Sequence, residues 1–169
     1  MDTNKIWDRV KKIVKEAGLL LLFIFIFSNI IGWLRAPKLQ SNTLMLTKAT
    51  LIDGSAWRYE EGKPLVLHFW GTWCPVCRME AANVDAVSKA YNVVTVAVNS
   101  GDDATVAHYL NEHNLNFKVI NDPHGKLAKR FKVTVFPTTF MFDADGRLKF
   151  TETGYTTTAG LLARLKIAQ

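Results

Sequence analysis

The hydrophobic residues of this chain form one long run near the N-terminus and a series of short runs further along. Residues 17–34 are 18 consecutive positions without a charged side chain. As a helix rising about 1.5 Å per residue they would span roughly 27 Å, close to the hydrocarbon thickness of a bilayer. The later apolar runs have strand length and are separated by stretches of helical periodicity. The pattern predicts one membrane-spanning helix followed by a domain of mixed strands and helices.

The polar residues around the long run divide the chain into four parts. Residues 1–16 are a basic segment, 17–34 a transmembrane helix, 35–43 a linker and 44–169 a globular domain. Five basic residues precede the apolar run and only two follow it closely, which predicts a cytoplasmic N-terminus and an exported domain. A cleaved signal peptide is the alternative, but Gly32-Trp33-Leu34-Arg35 places bulky residues where a cleavage site needs small ones.

Short apolar runs and turn residues define the elements of the globular domain. Strands are predicted at 43–46, 50–52, 65–70, 93–98, 117–120, 138–142 and 148–151. Helices are predicted at about 74–91, after a cap at Asp102 or Asp103, at 126–131 and at about 157–167. The order predicts an α/β fold in which helices cover both faces of a mixed sheet.

Composition and charge exclude several classes of protein. Hydrophobic residues make up 49% of the chain, which excludes a disordered or collagen-like protein. The 21 Lys and Arg exceed the 15 Asp and Glu, but this excess is densest beside the long apolar run. No basic patch with interleaved aromatic residues appears elsewhere, so nucleic acid is excluded as a partner.

The only two cysteines form the motif Cys74-Pro75-Val76-Cys77, at the junction of a predicted strand and a predicted helix. A disulfide between residues three apart removes little entropy from the unfolded chain, so it is a poor structural staple. The unpaired N–H groups of a helix N-terminus favour the thiolate of Cys74. We therefore expect Cys74 to be an exposed nucleophile and Cys77 to be a buried thiol that resolves the mixed disulfide.

Metal binding is the alternative use of these cysteines. A zinc site would need two more ligands, but His108 and His113 lie five positions apart on a helix and point about 140° away from each other. We predict no resident metal and place His108, His113 and His124 at the surface. Copper(I) capture by the two thiols alone stays open as a non-enzymatic alternative.

The segment Phe69–Cys77 resembles the active-site motif of the thioredoxin superfamily. Other motifs resemble its membrane-anchored TlpA-like branch: Gly62-Lys63-Pro64, Glu80, Phe136-Pro137-Thr138-Thr139-Phe140 and Asp143-Ala144-Asp145-Gly146. Within that branch the chain is most similar to the suppressor-of-copper-sensitivity D proteins, through Trp33–Pro37, Ser100–Asp103 and Thr153-Gly154-Tyr155. The resemblance covers residues 33–167 and implies a thioredoxin fold and thiol–disulfide exchange on exported proteins. It links the chain to copper stress only through the subfamily's name.

The resemblance also implies roles for individual residues. Pro137 corresponds to the cis-proline that faces the disulfide, where the neighbouring backbone can pair with a substrate. Substrate contacts are expected from Trp73, Pro75, Val76, Phe136 and Thr138, whereas Trp70 is expected to pack in the core.

Two titratable residues near the cysteines have open roles. His68 lies six residues before Cys74, where thioredoxins usually carry an acid; it is either a proton acceptor for Cys77 or a core histidine bonded to its neighbours. Glu80 lies three residues after Cys77, on the same face of the predicted helix. It is either a partly buried base that tunes the thiols or a solvated acid.

These observations predict a monomeric, single-pass protein of the bacterial inner membrane whose thioredoxin-like domain is periplasmic. Its partners would be exported proteins with thiols or disulfides and a membrane protein that recycles the cysteine pair. It needs no cofactor, because the electrons reside on the cysteines. We expect a reductase rather than a strong oxidase, since Pro75 and Val76 cannot bond to a thiolate. A thioredoxin of cytochrome c maturation is the alternative enzyme.

Overall fold

The computed structural model describes residues 3–35, 37 and 42–168, which fall into an N-terminal helix and a globular domain. Helix α1 (Thr3–Arg35) is continuous through the basic segment and the apolar run. Among the described residues, no helix has the combined length and hydropathy that a membrane span requires. The predicted span therefore stays a prediction. Most of the predicted linker 35–43 lies outside the described residues.

The globular domain begins with a small antiparallel hairpin of β1 (Lys48–Thr50) and β2 (Ala56–Arg58). The elements that follow are β3 (Leu65–Trp70), α2 (Pro75–Ser88), β4 (Asn92–Val98), α3 (Asp103–Glu112), β5 (Lys118–Asp122), α4 (Lys126–Arg130), β6 (Thr138–Phe142), β7 (Leu148–Thr153) and α5 (Thr158–Ala168). The strands β3 to β7 form one sheet in the order β5-β4-β3-β6-β7. Strands β3, β4 and β5 are parallel, and β6 and β7 run antiparallel to them. The predicted mixed sheet is confirmed.

The first strands of the domain differ from the prediction. Residues 43–46 form no strand beyond an isolated bridge from Thr43 to Arg147, and the pairing segment is 48–50 rather than 50–52. The Asp53-Gly54 turn begins earlier than expected, because the Gly54 N–H already bonds to the Leu51 carbonyl at 2.9 Å. Leu51 is buried in the core although it lies outside the strand, so its apolar side chain does not indicate strand structure.

Two apolar clusters cover the two faces of the sheet. Alternate residues of each strand point to opposite faces, so Val66 and Trp70 join one cluster while Leu67 and Phe69 join the other. The first cluster also takes in residues of α2, α3 and α5, together with both cysteines. The second takes in α4 and the N-terminal hairpin. The cysteine pair thus belongs to the face that α2 covers.

Candidate active site

One edge of the sheet brings together the segments that carry the predicted site. Trp70, at the end of β3, is level with Ala97 near the end of the parallel strand β4. The antiparallel neighbour β6 starts at the same level, since Thr138 pairs with Phe69 and with Thr153 of β7. The turn before Cys74, the end of β4, the start of β6 and the end of β7 therefore meet at this edge.

Cys74 and Cys77 form a disulfide at the N-terminus of α2, with their Cα atoms 5.3 Å apart. Cys74 is the N-cap residue in an extended conformation, and Pro75 occupies the first turn, where its missing N–H costs no helical bond. The Cys77 N–H donates to Cys74 Sγ at 3.2 Å. In the reduced protein this donor and the helix dipole would favour a thiolate at Cys74.

The expected contrast in exposure between the two cysteines is wrong for the oxidised form. Cys74 is 4% exposed and Cys77 is 2% exposed, and both belong to the apolar cluster that contains Trp70 and Ala81. The burial follows from their place at the junction of a core strand and a packed helix. The cysteines differ in helix position instead: one caps the helix and the other lies within its first turn.

Hydrogen bonds to the end of β4 fix the turn before Cys74. The Trp73 indole N–H donates to the Val98 carbonyl at 3.0 Å, and the Thr72 N–H donates to Ser100 Oγ at 3.1 Å. The Ser100 hydroxyl itself donates to the same Val98 carbonyl at 3.0 Å. Ser100 was missed as a site residue, although it lies in one of the motifs that carry the family resemblance.

Gly71 is required by this arrangement. A Cβ atom there would lie 2.6 Å from the Trp73 indole nitrogen, so any other residue would displace the ring. The Cys74 N–H bonds to the Gly71 carbonyl at 3.1 Å, which closes the turn. Glycine at this position therefore lets the Trp73 ring lie against the turn that precedes Cys74.

Aromatic and apolar side chains form the surface beside the disulfide. Trp73 is 53% exposed, and its ring meets Phe136 edge to face at 5.4 Å between centroids. Pro75 and Val76 are also exposed. The Phe136–Pro137 peptide bond is cis, as the resemblance implied. The structure thus places four of the five expected substrate-contacting side chains at or near the surface.

Thr138 is the exception among the predicted substrate contacts. It is 1% exposed, and its hydroxyl donates to the Val135 carbonyl at 2.7 Å. Its backbone is also taken up by pairing with both neighbouring strands. Strand alternation thus turns its side chain into the interior, and the predicted substrate contact of Thr138 stays a prediction.

His68 is buried in β3, on the sheet face that α2 covers. Its Nδ1 lies 2.8 Å from Thr139 Oγ1 of β6. Burial lowers the pKa of the imidazole from 6.5 to about 3, so the ring is neutral at physiological pH. A neutral ring bonded to its neighbour fits the core-histidine interpretation, and a pKa of about 3 makes the ring a poor acceptor for a proton from Cys77. Thr139 was not singled out from the sequence, although it lies inside the Phe-Pro-Thr-Thr motif.

Glu80 is fully buried in α2, one turn beyond Cys77, so the solvated-acid interpretation is wrong. Among the described residues, neither of its carboxyl oxygens has a hydrogen-bond partner. Burial is the main cause that raises its pKa from 4.5 to about 8; the nearby Thr156 N–H opposes this rise and the charge of Glu152 adds to it. A carboxyl group that stays protonated near neutral pH therefore lies beside the cysteine pair.

The remaining histidines lie at the surface, as predicted. His108 faces Glu112 on the exposed side of α3 at 3.3 Å, and His113 Nδ1 lies 2.9 Å from the Tyr109 carbonyl. Within residues 3–35, 37 and 42–168, no cluster of three or more His, Cys, Asp or Glu side chains is arranged to hold a metal ion.

Comparison with known proteins decides the family. The sequence profile of the Redoxin family matches residues 36–165, most of the chain and all of the site. The chain belongs to the Redoxin family. A thioredoxin-like protein of Haemophilus influenzae is 34% identical over 167 residues, which cover 95% of this chain and 98% of the relative.

Other relatives of this Redoxin protein are similar over the domain alone. The thiol-disulfide oxidoreductase ResA of Bacillus subtilis is 34% identical over 98 residues, or 56% of this chain and 55% of ResA. The crystal structure of a secreted Mycobacterium tuberculosis disulfide oxidoreductase has a TM-score of 0.61 and 30% identity, covering 71% of this chain and 94% of that one. StoA of Bacillus subtilis has a TM-score of 0.60 and 26% identity, over 69% and 93% of the two chains.

These relatives and the disulfide at the head of α2 confirm two predictions. The protein is a thiol–disulfide oxidoreductase with a thioredoxin-like fold. Like other members of its family, it works through its own cysteine pair, which stores two electrons as two thiols and releases them when the disulfide forms.

Proposed function

We propose that this protein is a membrane-anchored reductase of disulfides in exported proteins, acting as a monomer in the periplasm. Cys74 thiolate attacks a substrate disulfide, forms a mixed disulfide and displaces one substrate thiolate. Cys77 then attacks Cys74 Sγ and releases the second substrate thiol, which leaves the disulfide found in the structure. Two electrons and two protons pass to the substrate, and a membrane redox partner returns them to the cysteines.

The disulfide at the N-terminus of α2 is the observation that carries this proposal. Reduction rather than oxidation is favoured by the residues between the cysteines, since Pro75 and Val76 have no side-chain donor for a thiolate. The one recorded donor to Cys74 Sγ is the Cys77 N–H, within the described part of the chain. A strong oxidant needs a specially stabilised reduced form.

Glu80 is proposed to exchange the proton during resolution. Cys77 must lose a proton before it can attack, and it lies in the interior where water has little access. Glu80 is one helical turn away and is the nearest acid along α2. A carboxyl group whose pKa is raised to about 8 can take up and return a proton near physiological pH.

The membrane anchor is proposed from the complete sequence of residues 17–34, which carry no charge. Substituting Leu21→Lys and Ile24→Lys together should remove the protein from carbonate-washed membranes. Ile167→Lys, an exposed apolar position of α5, is the matched control and should leave the distribution unchanged. Retention of the double variant in membranes would refute the anchor.

Insulin reduction by the full chain in nonionic detergent, with glutathione as the electron source, tests the enzymatic proposal. The wild type should turn over, whereas Cys77→Ser should accumulate a mixed disulfide with the substrate. Absence of turnover together with tight copper(I) binding would favour the copper-binding alternative instead.

Failure to complement a strain that lacks its cytochrome c maturation thioredoxin would exclude that second enzyme role. Copper sensitivity of a deletion strain tests the stress suggested by the subfamily resemblance.

A further inference from the structure

The connection between β7 and α5, residues 154–157, lies against α2 and is fastened at both ends. At its start, the Gly154 N–H donates to the Pro137 carbonyl at 2.9 Å. At its other end it is held by Asn83 of α2. We refer to residues 154–157 as the covering segment.

Asn83 uses both ends of its amide on this side of the molecule. Its Nδ2 donates to the Tyr155 hydroxyl and to the Thr156 carbonyl, each at 3.1 Å. Its Oδ1 accepts from the Thr158 hydroxyl at 3.0 Å, at the first residue of α5. These bonds join residues more than seventy positions apart, so Asn83 is the side chain that ties α2 to the covering segment.

Glu80 lies beneath that connection. It precedes Asn83 by three residues and therefore lies on the same side of α2. The Thr156 N–H is close enough to favour its ionised form, yet neither carboxyl oxygen makes a hydrogen bond within the described residues. An ionised carboxylate without partners or water is strongly disfavoured. Glu80 can therefore ionise readily only if water enters, and the covering segment places the backbone of Thr156 next to its carboxyl group.

We propose that Asn83 is a positioning residue for thiol–disulfide exchange: it holds the covering segment closed over Glu80 and so keeps water away from that carboxyl group beside the cysteine pair. The link between Asn83 and exchange rests on the proposed role of Glu80. The exclusion of water from Glu80 is independent of that role, because it concerns only the access of water to one side chain.

The charged groups around Glu80 allow this effect to be separated from simple electrostatics. Glu152 of β7 faces it and is paired with Arg164 of α5 at 2.6 Å. On the sheet beneath, His68 is neutral. Asn83 carries no charge, so its removal changes hydration without changing any of these groups.

The test is an infrared titration of the oxidised full chain in nonionic detergent, following the carbonyl band of protonated carboxyl groups. The part of the band that disappears in Glu80→Gln belongs to Glu80. In the wild type we expect it to persist to about pH 8. In Asn83→Ala it should be lost at least about one pH unit lower, because the carboxyl group becomes hydrated. Thr158→Val, which removes only the hydroxyl that orients Asn83, should shift it in the same direction by less.

Asn111→Ala, at an exposed asparagine of α3, is the matched control and should titrate like the wild type. A merely structural role for Asn83 predicts a lower melting temperature with an unmoved Glu80 midpoint, and that result would overturn the proposal. If Asn83→Ala does not fold, the titration of Thr158→Val tests the proposal by itself. An unchanged Glu80 midpoint in Thr158→Val would then overturn the proposal. Insulin turnover is measured on the same samples. Absence of insulin turnover in the wild type would refute the proposed function but would leave the exclusion of water from Glu80 unaffected.

Discussion

The two faces of the central sheet have different chemistry, although both are buried. The face covered by α4 is filled by aliphatic and aromatic side chains, among them Phe69, Phe131 and Phe140, whose rings pack 5.2–5.8 Å apart. The face covered by α2 holds the disulfide, His68 and Glu80. It also holds a buried Tyr109 hydroxyl without a hydrogen-bond partner among the described residues.

This difference shows how a small domain can carry reactive groups in its interior. The apolar cluster on the face covered by α4 supplies stabilisation that does not depend on protonation, because aliphatic and aromatic side chains make it up. The other face contains groups whose protonation is shifted by burial, and such groups make stability depend on pH. Substitutions on the two faces should therefore have separable consequences for activity and stability.

The largest expected effect is on activity and comes from the α2 face. Cys74→Ser removes the nucleophile, so insulin reduction should fall to the uncatalysed background. The substitution keeps the size of the side chain and a capping oxygen at the helix N-terminus, so the melting curve should remain cooperative. Residual turnover in Cys74→Ser would show that Cys77 can attack substrate by itself.

The next effect is on stability and comes from the apolar face. Phe140→Ala removes a fully buried ring and should cost about 3–5 kcal/mol in the free energy of unfolding. Chemical denaturation measures this loss. The redox potential of the variant should equal that of the wild type, and a shifted potential would contradict the separation of the two faces.

Glu80 should make the protein less stable as the pH rises. Its pKa is about 8 in the folded protein and 4.5 when unfolded, so between these values the folded state binds more protons. Stability from this group is fully present below pH 4.5 and declines through pH 8, by about 3 kcal/mol between pH 5 and pH 8. The difference in slope between the wild type and Glu80→Gln, in urea denaturation across that range, measures this contribution, and equal slopes would show that Glu80 is hydrated.

His68 should have the opposite dependence. Its pKa falls from 6.5 in the unfolded chain to about 3 in the fold, so the unfolded state binds more protons between these values. In a Glu80→Gln background, which removes the opposite contribution of that residue, stability should fall by about 2 kcal/mol from pH 7 to pH 5. His68→Asn, which keeps a polar atom toward Thr139, should remove this acid sensitivity whatever its effect at pH 7. Urea denaturation at the two pH values measures it, and retained sensitivity would assign it to another group.

Local patterns were sufficient to predict much of the fold. The apolar run at 65–70 and the segment 138–142 coincide with β3 and β6, because continuous apolar residues are typical of strands covered on both faces. The sequence predicted a helix cap at Asp102 or Asp103. The structure shows that Asp102 is the cap, since its side chain accepts from the Thr105 N–H at 2.8 Å. The disulfide between Cys74 and Cys77 could be predicted from the spacing of these two cysteines.

Features that depend on distant contacts could not be predicted in this way. The burial of Cys74 depends on how α2 packs against the sheet, and the role of Asn83 depends on residues seventy positions further along the chain. Thr138 illustrates the same limit, since its orientation is fixed by strand register rather than by its motif. The complete burial of Glu80 likewise could not be predicted from its position on the helix.

The redox potential of the full chain in nonionic detergent, equilibrated against glutathione, tests the central claim most directly. Trapping the thiols by alkylation at each ratio of reduced to oxidised glutathione gives the fraction of the Cys74–Cys77 disulfide. A single two-electron transition near or below roughly −200 mV is the predicted result and identifies a reductant. A value near roughly −120 mV would make the protein a disulfide donor, and the absence of any reversible transition would contradict thiol–disulfide exchange itself.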